Sequence, residues 1–377
     1  MKRNHAITTA VVVAILALLI ILQVRHWHNF DWAKFRAVTS GVNIWSLAIA
    51  VAFTYACYFL RAIRWSIFLR PTKHVPATRL IVPQIVGFTG LALLGRPGEF
   101  VRPYLIARRE NLPFSSQLAT WVVERVFDMA SVALLLGANL AIYGGQYKEF
   151  PWVGRAGYAM LGLSVFLAVA MIGLWRNAAF IANTIQRLLN PISKKVAESV
   201  CSKVRAFGEG LHTLTDYKAF LSVAVLSMAI WLCVAESYIH VLHAYPQSVV
   251  TTISDSGLPQ LGATVRLHEM HLPDVLIVMS ASMFGSVFQL PGVGGGSQLF
   301  VISVLSSPLF ASEPYNITKE LALSCGMMLW LVTFMSVIPL GLILAHFNRI
   351  SLRAIGEESE EVAEEEIAHP HAHDLQS

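Results

Sequence analysis

The sequence has few charged residues. They occupy 14% of its 377 positions, whereas a typical soluble protein carries about 25%. The charges are also clustered, so that long apolar runs separate them, and 55% of the residues are hydrophobic. This pattern excludes an ordinary soluble domain and predicts an all-α polytopic membrane protein.

Cysteine is scarce too. The four cysteines form no CxxC pair, and three of them lie in apolar runs. Such residues are typical of small buried side chains and not of a disulfide framework or a zinc site. The glycine-rich stretch PGVGGGSQ at 291–298 lacks the following Lys-Ser/Thr and the preceding strand of a phosphate-binding loop. We therefore expect no cofactor, no metal and no nucleotide.

The charge is distributed unevenly along the chain. Seven glutamates lie within 357–366, and residues 1–350 carry a formal net charge of +12. A basic membrane body suits anionic lipids and phosphate head groups, and no folded domain remains for nucleic acid. We predict one membrane domain over 1–350 and a disordered, acidic cytoplasmic tail over 351–377.

Six apolar runs are long enough to span a bilayer. They are 6–24, 43–60, 116–142, 157–175, 219–243 and 320–345. The first run resembles a signal peptide but is followed by a poor cleavage site, so we interpret it as an uncleaved anchor. Two further stretches, 80–107 and 274–310, are apolar but broken by proline and glycine.

The distribution of lysine and arginine predicts the orientation. The basic segments 61–79 and 176–218 are expected in the cytoplasm, and the segment 143–156 outside. Both termini are then cytoplasmic, in a bacterial inner membrane, if each broken stretch returns to the face from which it entered.

The two broken stretches share one layout: an apolar half-helix, a Pro-Gly break, a second short helix and then a full span. They are predicted to enter from opposite faces as re-entrant hairpins, which is typical of an inverted repeat with its site between the halves. The alternative is eight ordinary kinked spans. Between the halves, 177–216 shows an amphipathic period, which predicts helices on the cytoplasmic leaflet or a cytoplasmic helical pair without lipid contact.

Ionisable residues at membrane depth are costly unless they line a cavity or pair with one another. Glu124, Arg125 and Asp128 lie about two turns inside the span that begins at 116. Arg96 and Arg102 on the preceding hairpin are their natural partners.

Two interpretations of this cluster are compatible. In the first, Arg96, Arg102 and Arg125 hold a phosphate group, while three carboxylates, Glu99, Glu124 and Asp128, balance the charge. In the second, the same groups form an ion-pair network that only fixes the hairpin to the span. On the second hairpin, Gly296 and Ser297 are candidates to present backbone donors to a lipid phosphate.

The segment GRPGEFVRPYLIARRENLPFSSQLATWVVERVFDMASVALLL closely resembles the transmembrane, flippase-like region of lysylphosphatidylglycerol synthases. The resemblance covers about residues 40–345 and rests on the RxGE…R and VVERxxD blocks. It implies movement of a modified phospholipid between leaflets. The family's aminoacyl-transfer domain is a separate soluble unit, and the chain ends soon after the last predicted span, so the resemblance implies no aminoacyl transfer.

The second hairpin departs from the family pattern. Ser297 and Gln298 stand near the expected glutamate, and Trp330 stands near the expected arginine. The second half is therefore expected to be less charged, which puts transfer of the family's own substrate in doubt.

The sequence thus favours a lipid translocase, not driven by ATP, that moves the head group of an anionic phospholipid or a polyprenyl phosphate. One alternative is a membrane-embedded transferase for a lipid-linked substrate, with Glu124 or Asp128 as base. The other is a noncatalytic membrane partner of a separately encoded enzyme.

Overall fold

The computed structural model describes most of the membrane body. The described residues are 32–144, 152–190, 201, 216–246, 248–249, 252–253, 259–260, 264–286, 289–290, 294–312, 314–348 and 350. The predicted anchor at 6–24, the acidic tail and most of 191–215 lie outside them.

The described part is helical. Its helices are α1 (Trp32–Ser40), α2 (Ile44–Leu69), α3 (Ala77–Leu94), α4 (Val101–Glu110), α5 (Phe114–Tyr143), α6 (Trp152–Leu189), α7 (Tyr217–His243), α8 (Leu272–Ser286), α9 (Gly296–Leu305), α10 (Pro308–Ala311), α11 (Lys319–Trp330) and α12 (Val337–Phe347). A 3₁₀ turn at Arg96–Glu99 joins α3 to α4, and a π-helical turn at Leu331–Met335 joins α11 to α12. The all-α polytopic fold is confirmed.

Three short antiparallel pairs connect the helices. They are β1 (Ser248–Val249) with β4 (Thr264–Val265), β2 (Thr252–Ile253) with β3 (Pro259–Gln260), and β5 (Gln289–Leu290) with β6 (Gly294–Gly295). The third pair lies between α8 and α9, inside the second broken stretch. Each strand has only two residues, so these pairs shape connections and do not form a sheet of their own.

Six segments of the described chain are long and apolar enough to cross a membrane. They are Ile44–Leu69, Ala77–Leu94, Phe114–Tyr143, Arg155–Leu174, Tyr217–His243 and Lys319–Phe347. Five of them correspond to predicted spans. The sixth, α3, was predicted as a half-helix, but its 18 residues reach about 27 Å at 1.5 Å per residue. By contrast, α4, α8 and α9 have 10, 15 and 10 residues and are shorter than these six segments.

The chain reverses at both breaks. In the first, Gly98 lies against the backbone of Gly90, so that α4 packs alongside α3. In the second, Gly285 lies against the backbone of Gly296, and α8 packs alongside α9. Neither stretch is a single kinked rod, because residues on the two sides of each break are in contact. That the two hairpins enter from opposite faces without crossing stays a prediction.

Local sequence explains where the first hairpin turns. Gly95 has φ 71°, a conformation that glycine adopts without strain, and it ends α3. Pro97 follows in the first turn of the 3₁₀ segment, where its missing N–H is no loss. Asn111 then ends α4 in the left-handed region, with φ 52°. The hairpin thus stops shortly before Phe114 begins α5.

The structure describes only part of the segment 177–216. The first of the predicted amphipathic helices continues α6, which runs on to Leu189 beyond a break in helical geometry at Asn177. The predicted bend near Pro191 lies outside the described residues, so the cytoplasmic placement of this segment stays a prediction.

Candidate functional site

Two carboxylates form the centre of the site. Glu124 and Asp128 are four residues apart on α5 and therefore share one face of the helix. Both are fully buried, with exposed fractions of 0% and 1%. Buried carboxylates need opposite charges and hydrogen-bond donors, because desolvation of an unpaired charge is costly.

Helix α2 supplies two of the opposite charges. Arg64 donates to Asp128 over 2.7 Å and also contacts Glu124. Arg61 lies 3.3 Å from Asp128 and 3.5 Å from Glu124. Both arginines belong to the basic segment 61–79, beyond the predicted span 43–60, but α2 continues to Leu69 and buries them. Pairing with two carboxylates is what permits their burial.

The first hairpin supplies a third arginine. Arg102 on α4 donates to both oxygens of Glu124, over 3.1 and 2.5 Å, and to Gln84 on α3 over 3.2 Å. Its guanidinium also lies 4.5 Å from the ring centroid of Trp65, a cation–π distance. Arg102 therefore fixes the hairpin to α2 and α5.

Arg125 differs from the other three arginines of the cluster. Its side chain is 39% exposed, and its guanidinium lies 3.4 Å from Asp128 and 3.9 Å from Glu124. Its Nε atom is buried and has no hydrogen-bond partner among the described residues. Because 39% of the side chain is exposed and Arg125 lines the cavity described below, it is the arginine of this cluster that is most open to a ligand.

The cluster has an excess of positive charge. The four guanidiniums belong to Arg61, Arg64, Arg102 and Arg125. Among the residues that the structure describes they meet two carboxylates, which leaves two positive charges of the cluster uncompensated. If the nearby Glu99 is included, the excess is one.

A cavity of about 230 Å³ lies beside this cluster. Its charged wall consists of Arg61, Arg102, Arg125 and Glu99, and its other residues come from α2, α3, α5, α7, α8, α12, the 3₁₀ turn and the π-helical turn. Gly98 of the first hairpin and Ser286 of the second both line it. The turn of the first hairpin and the C-terminal end of α8 therefore reach one cavity inside the helical body.

Comparison with known proteins identifies the family of the chain. A family model described as the lysylphosphatidylglycerol synthase TM region matches residues 7–254. The chain belongs to this family. It is also 27% identical, over 210 residues, to glycosyltransferase AglD of Haloferax volcanii, an alignment that covers 49% of this chain and 34% of that protein. The chain thus spans about a third of the length of this relative. No solved structure matches the chain significantly.

The family match includes the whole arginine–carboxylate cluster and the first hairpin. It ends before α8 and α9, although the resemblance was expected to reach about residue 345. The second hairpin is therefore assigned by its geometry and not by the family model.

The structure places the predicted site residues in three groups. Arg102, Glu124, Arg125 and Asp128 form the cluster, and Glu99 lines the same cavity. Arg96 lies in the 3₁₀ turn, but its side chain is outside the described set. Gly296 and Ser297 begin α9 and are buried, and Ser297 bonds to Ser282 on α8 over 2.5 Å. Neither Gly296 nor Ser297 lines the cavity, but Ser282, the partner of Ser297, does.

Sequence reasoning missed Arg61, Arg64 and Trp231. Trp231 on α7 donates its indole N–H to Asp128 over 3.3 Å. The sequence did contain a signal for the two arginines. Arg61 and Arg64 are three residues apart and therefore share a helix face, as Glu124 and Asp128 do, so the two pairs can face each other. The apolar run 43–60 ends just before them, which made a loop the simpler interpretation.

Proposed function

We propose that the protein is a lipid translocase that accepts an anionic head group into the cavity between the two hairpins. The observation that carries this proposal is the uncompensated positive charge of the cavity wall, held inside a multi-pass helical body. A phosphate group is the complementary ligand, because guanidinium groups bind phosphate oxygens with charge-assisted hydrogen bonds.

The size of the cavity supports a head group as its ligand. Pockets that enclose a whole drug-sized molecule measure about 300–1,000 Å³, and this cavity measures about 230 Å³. A head group would therefore enter while the acyl or prenyl chains stay in the lipid phase. The lipid is an anionic phospholipid or a polyprenyl phosphate.

The arginine cluster is suited to transient binding. Arg64 has 0% exposure and holds Glu124 and Asp128 in place, whereas the more exposed Arg125 lines the cavity. Because Arg64 is committed to the two carboxylates and Arg125 is the accessible arginine, the site can bind an anion weakly enough to release it. We propose movement down a gradient or coupled to an ion, because the sequence contains no ATP-binding motif. The bacterial inner membrane and cytoplasmic termini remain part of this proposal.

Reconstitution tests the proposal. Liposomes that contain the purified protein and fluorescent phosphatidylglycerol are treated with dithionite, which bleaches only the outer leaflet. Wild-type protein should expose the inner-leaflet label to bleaching. Loss of one charge-assisted bond is worth about 1.5–3 kcal/mol, so Arg125→Gln should slow this exchange by about 10- to 100-fold.

The matched control is Arg266→Gln, which removes another half-exposed arginine, one that pairs with Glu269 over 3.4 Å outside the cavity. It should exchange lipid at the wild-type rate. Wild-type exchange no faster than in protein-free liposomes, or an Arg125→Gln rate equal to wild type, contradicts the proposal.

A second candidate function is supported by the glycosyltransferase name of the Haloferax volcanii relative. In that case the domain would present a lipid-linked substrate to a transferase, as part of it or as its noncatalytic partner. Glu124 is a poor choice of base, since guanidiniums bind both of its oxygens. Product formation by the purified protein, given sugar donors and a polyprenyl phosphate, would support transfer, and co-purification of a stoichiometric enzyme would support the partner role.

A further inference from the structure

The outer end of the first hairpin carries exposed arginines. Arg79 lies in the first turn of α3, and Arg108 and Arg109 lie in the last turn of α4. All three are exposed. Glu110, which ends α4, is buried, and its carboxylate lies 3.1 Å from the ammonium of Lys73, so this acid is already paired. We call Arg79, Arg108 and Arg109 the basic patch.

The packing of α3 against α4 brings the three arginines to one place. Gly90 lies against Val101 and Gly87 against Arg102, so the two helices run antiparallel. Further along, Val82 of α3 and Leu105 of α4 contribute to one apolar cluster. Arg79 precedes Val82 by three residues, and Arg108 follows Leu105 by three. The basic patch therefore lies about one helical turn beyond this cluster.

The C-terminal segment of the chain reaches the same place. Helix α12 packs along α3, with Gly341 against Thr89. Beyond the end of α12, Ile350 packs against the apolar cluster of Val82 and Leu105, and its N–H donates to the carbonyl of Ala345 over 2.9 Å. The chain is thus anchored about one turn from the basic patch where it leaves the described residues.

A strongly acidic sequence follows this anchor. Residues 357–366 contain seven glutamates, and six residues separate Ile350 from the first of them. An extended chain covers about 3.3–3.6 Å per residue, so this connection can span up to about 25 Å. One helical turn is only about 5.4 Å. The glutamates are therefore within reach of the basic patch, although they lie outside the described residues.

Two ligands compete for exposed arginines at the end of a membrane helix. Anionic lipid phosphates attract such residues in general. The glutamate segment has the advantage of its short tether, which corresponds to a millimolar effective concentration. The segment is also repelled by anionic lipids and by its own like charges, and contact with the arginines relieves both repulsions.

We propose that the glutamate segment 357–366 is the ligand of the basic patch and lies across the outer end of the first hairpin. This inference does not depend on the proposed translocase function. Exposed ion pairs are individually weak, so the contact needs several of them and is sensitive to salt. Because α4 carries both the patch and Arg102, the segment would bind the same short helix that supplies the charged wall of the cavity.

A distance measurement on the full-length protein tests the proposal. Nitroxide labels are attached at Ser359→Cys in the glutamate segment and at Ser115→Cys, in the exposed first turn of α5. Ser115 is close to the patch, because the neighbouring Phe114 packs on Tyr104 of α4 with ring centroids 5.9 Å apart. Cys233→Ser removes the native cysteine that is not buried.

The labelled protein is studied by double electron–electron resonance in nanodiscs of phosphatidylcholine, and separately in phosphatidylcholine mixed with phosphatidylglycerol. In both, about half of the molecules or more should show a short, narrow distance in about 0.1 M salt, because a millimolar effective concentration half-saturates a millimolar site. In about 1 M salt the Debye length falls from about 10 to about 3 Å, and this population should disappear.

The variant Arg108→Gln/Arg109→Gln tests the patch itself. Both side chains are exposed at the end of α4, so the fold should be retained. Loss of two ion pairs should reduce the short-distance population at least about threefold in 0.1 M salt.

The matched control is Arg155→Gln/Arg266→Gln, which removes two exposed arginines from the other end of α5. Arg155 is placed there because Gly157 packs on Leu140. Arg266 lies in the connection before α8, whose first turn accepts a hydrogen bond from Asn139. This variant should keep the wild-type distance distribution.

Three results would overturn the proposal. They are a broad distribution in about 0.1 M salt in both nanodiscs, a short distance that is unchanged in Arg108→Gln/Arg109→Gln, and a short distance that phosphatidylglycerol abolishes. The last result would show that lipid, and not the glutamate segment, binds the patch in an anionic membrane. Lipid exchange in liposomes would remain a separate test of the translocase in each case.

Discussion

The two hairpins have similar glycine–backbone contacts at their breaks but different polar contacts with the rest of the protein. In each, a glycine lies directly on the backbone across the break, Gly98 on Gly90 in the first hairpin and Gly285 on Gly296 in the second. The first hairpin is then held to its neighbours by Arg102 and a network of buried charges. The second is closed by a bond between Ser282 and Ser297. Similar backbone geometry thus leaves the chemistry of each half free to differ.

This difference predicts an unequal distribution of stability. Charges buried together are strongly coupled, because removal of one partner leaves the others uncompensated. A hydroxyl pair couples only two neutral groups. The first half is therefore expected to depend much more than the second on single polar residues.

The largest effect is expected for Glu124→Ala. The substitution leaves Arg64 and Arg102 buried without one of their main partners, which costs about 3–5 kcal/mol of stability. The free energy of unfolding is measured by titrating the purified protein in mixed micelles with dodecyl sulfate. The control Glu269→Ala removes an exposed ion pair and should cost less than about 1 kcal/mol. Equal losses in the two variants would contradict the coupled network.

An intermediate effect is expected for Gly98→Ala and Gly285→Ala. A methyl group at either position would collide with backbone atoms of the facing helix, and overpacking of this kind costs about 1–3 kcal/mol. The same titration should show similar losses for both, since the glycine contacts are alike. Gly162→Ala on α6 is the control, because nothing lies within 4 Å of its added methyl group. A loss of stability in only one of the two variants would show that the two glycine contacts are not equivalent.

The smallest effect is expected for Ser297→Ala. It removes one bond between neutral hydroxyls, and such a bond contributes about 0.5–1.5 kcal/mol. The unfolding titration should place this loss well below that of Glu124→Ala. Ser280→Ala serves as a reference for the cost of removing a buried hydroxyl that bonds only within its own helix. A loss at Ser297 as large as that at Glu124 would show that the second half is also held mainly by polar contacts.

Much of the architecture could be predicted because it depends on local properties of the chain. The breaks at Gly95–Glu99 and around Gly294–Gly296 follow from residues that cannot continue a helix. The pairing of Arg102 with Glu124 could be anticipated, since carboxylates at membrane depth require a cation nearby. The full length of α3 could not, because the helix begins at Ala77, three residues before the apolar stretch that starts at Leu80.

The sequence by itself determined that this is a multi-pass helical membrane protein with two interrupted segments and buried carboxylates on one span. Only the tertiary structure decided that Arg61 and Arg64 belong to the same cluster as Glu124 and Asp128, and that hydroxyl residues such as Ser282 and Thr333 line the cavity beside it. The physical reason is the distance in sequence: about 60 residues separate the arginines from their carboxylates, and only the packing of α2 against α5 and α7 makes them neighbours. From the sequence alone, a serine or threonine in an apolar helix can face lipid, a neighbouring helix or a cavity. The packing of the helices determines which of these it faces.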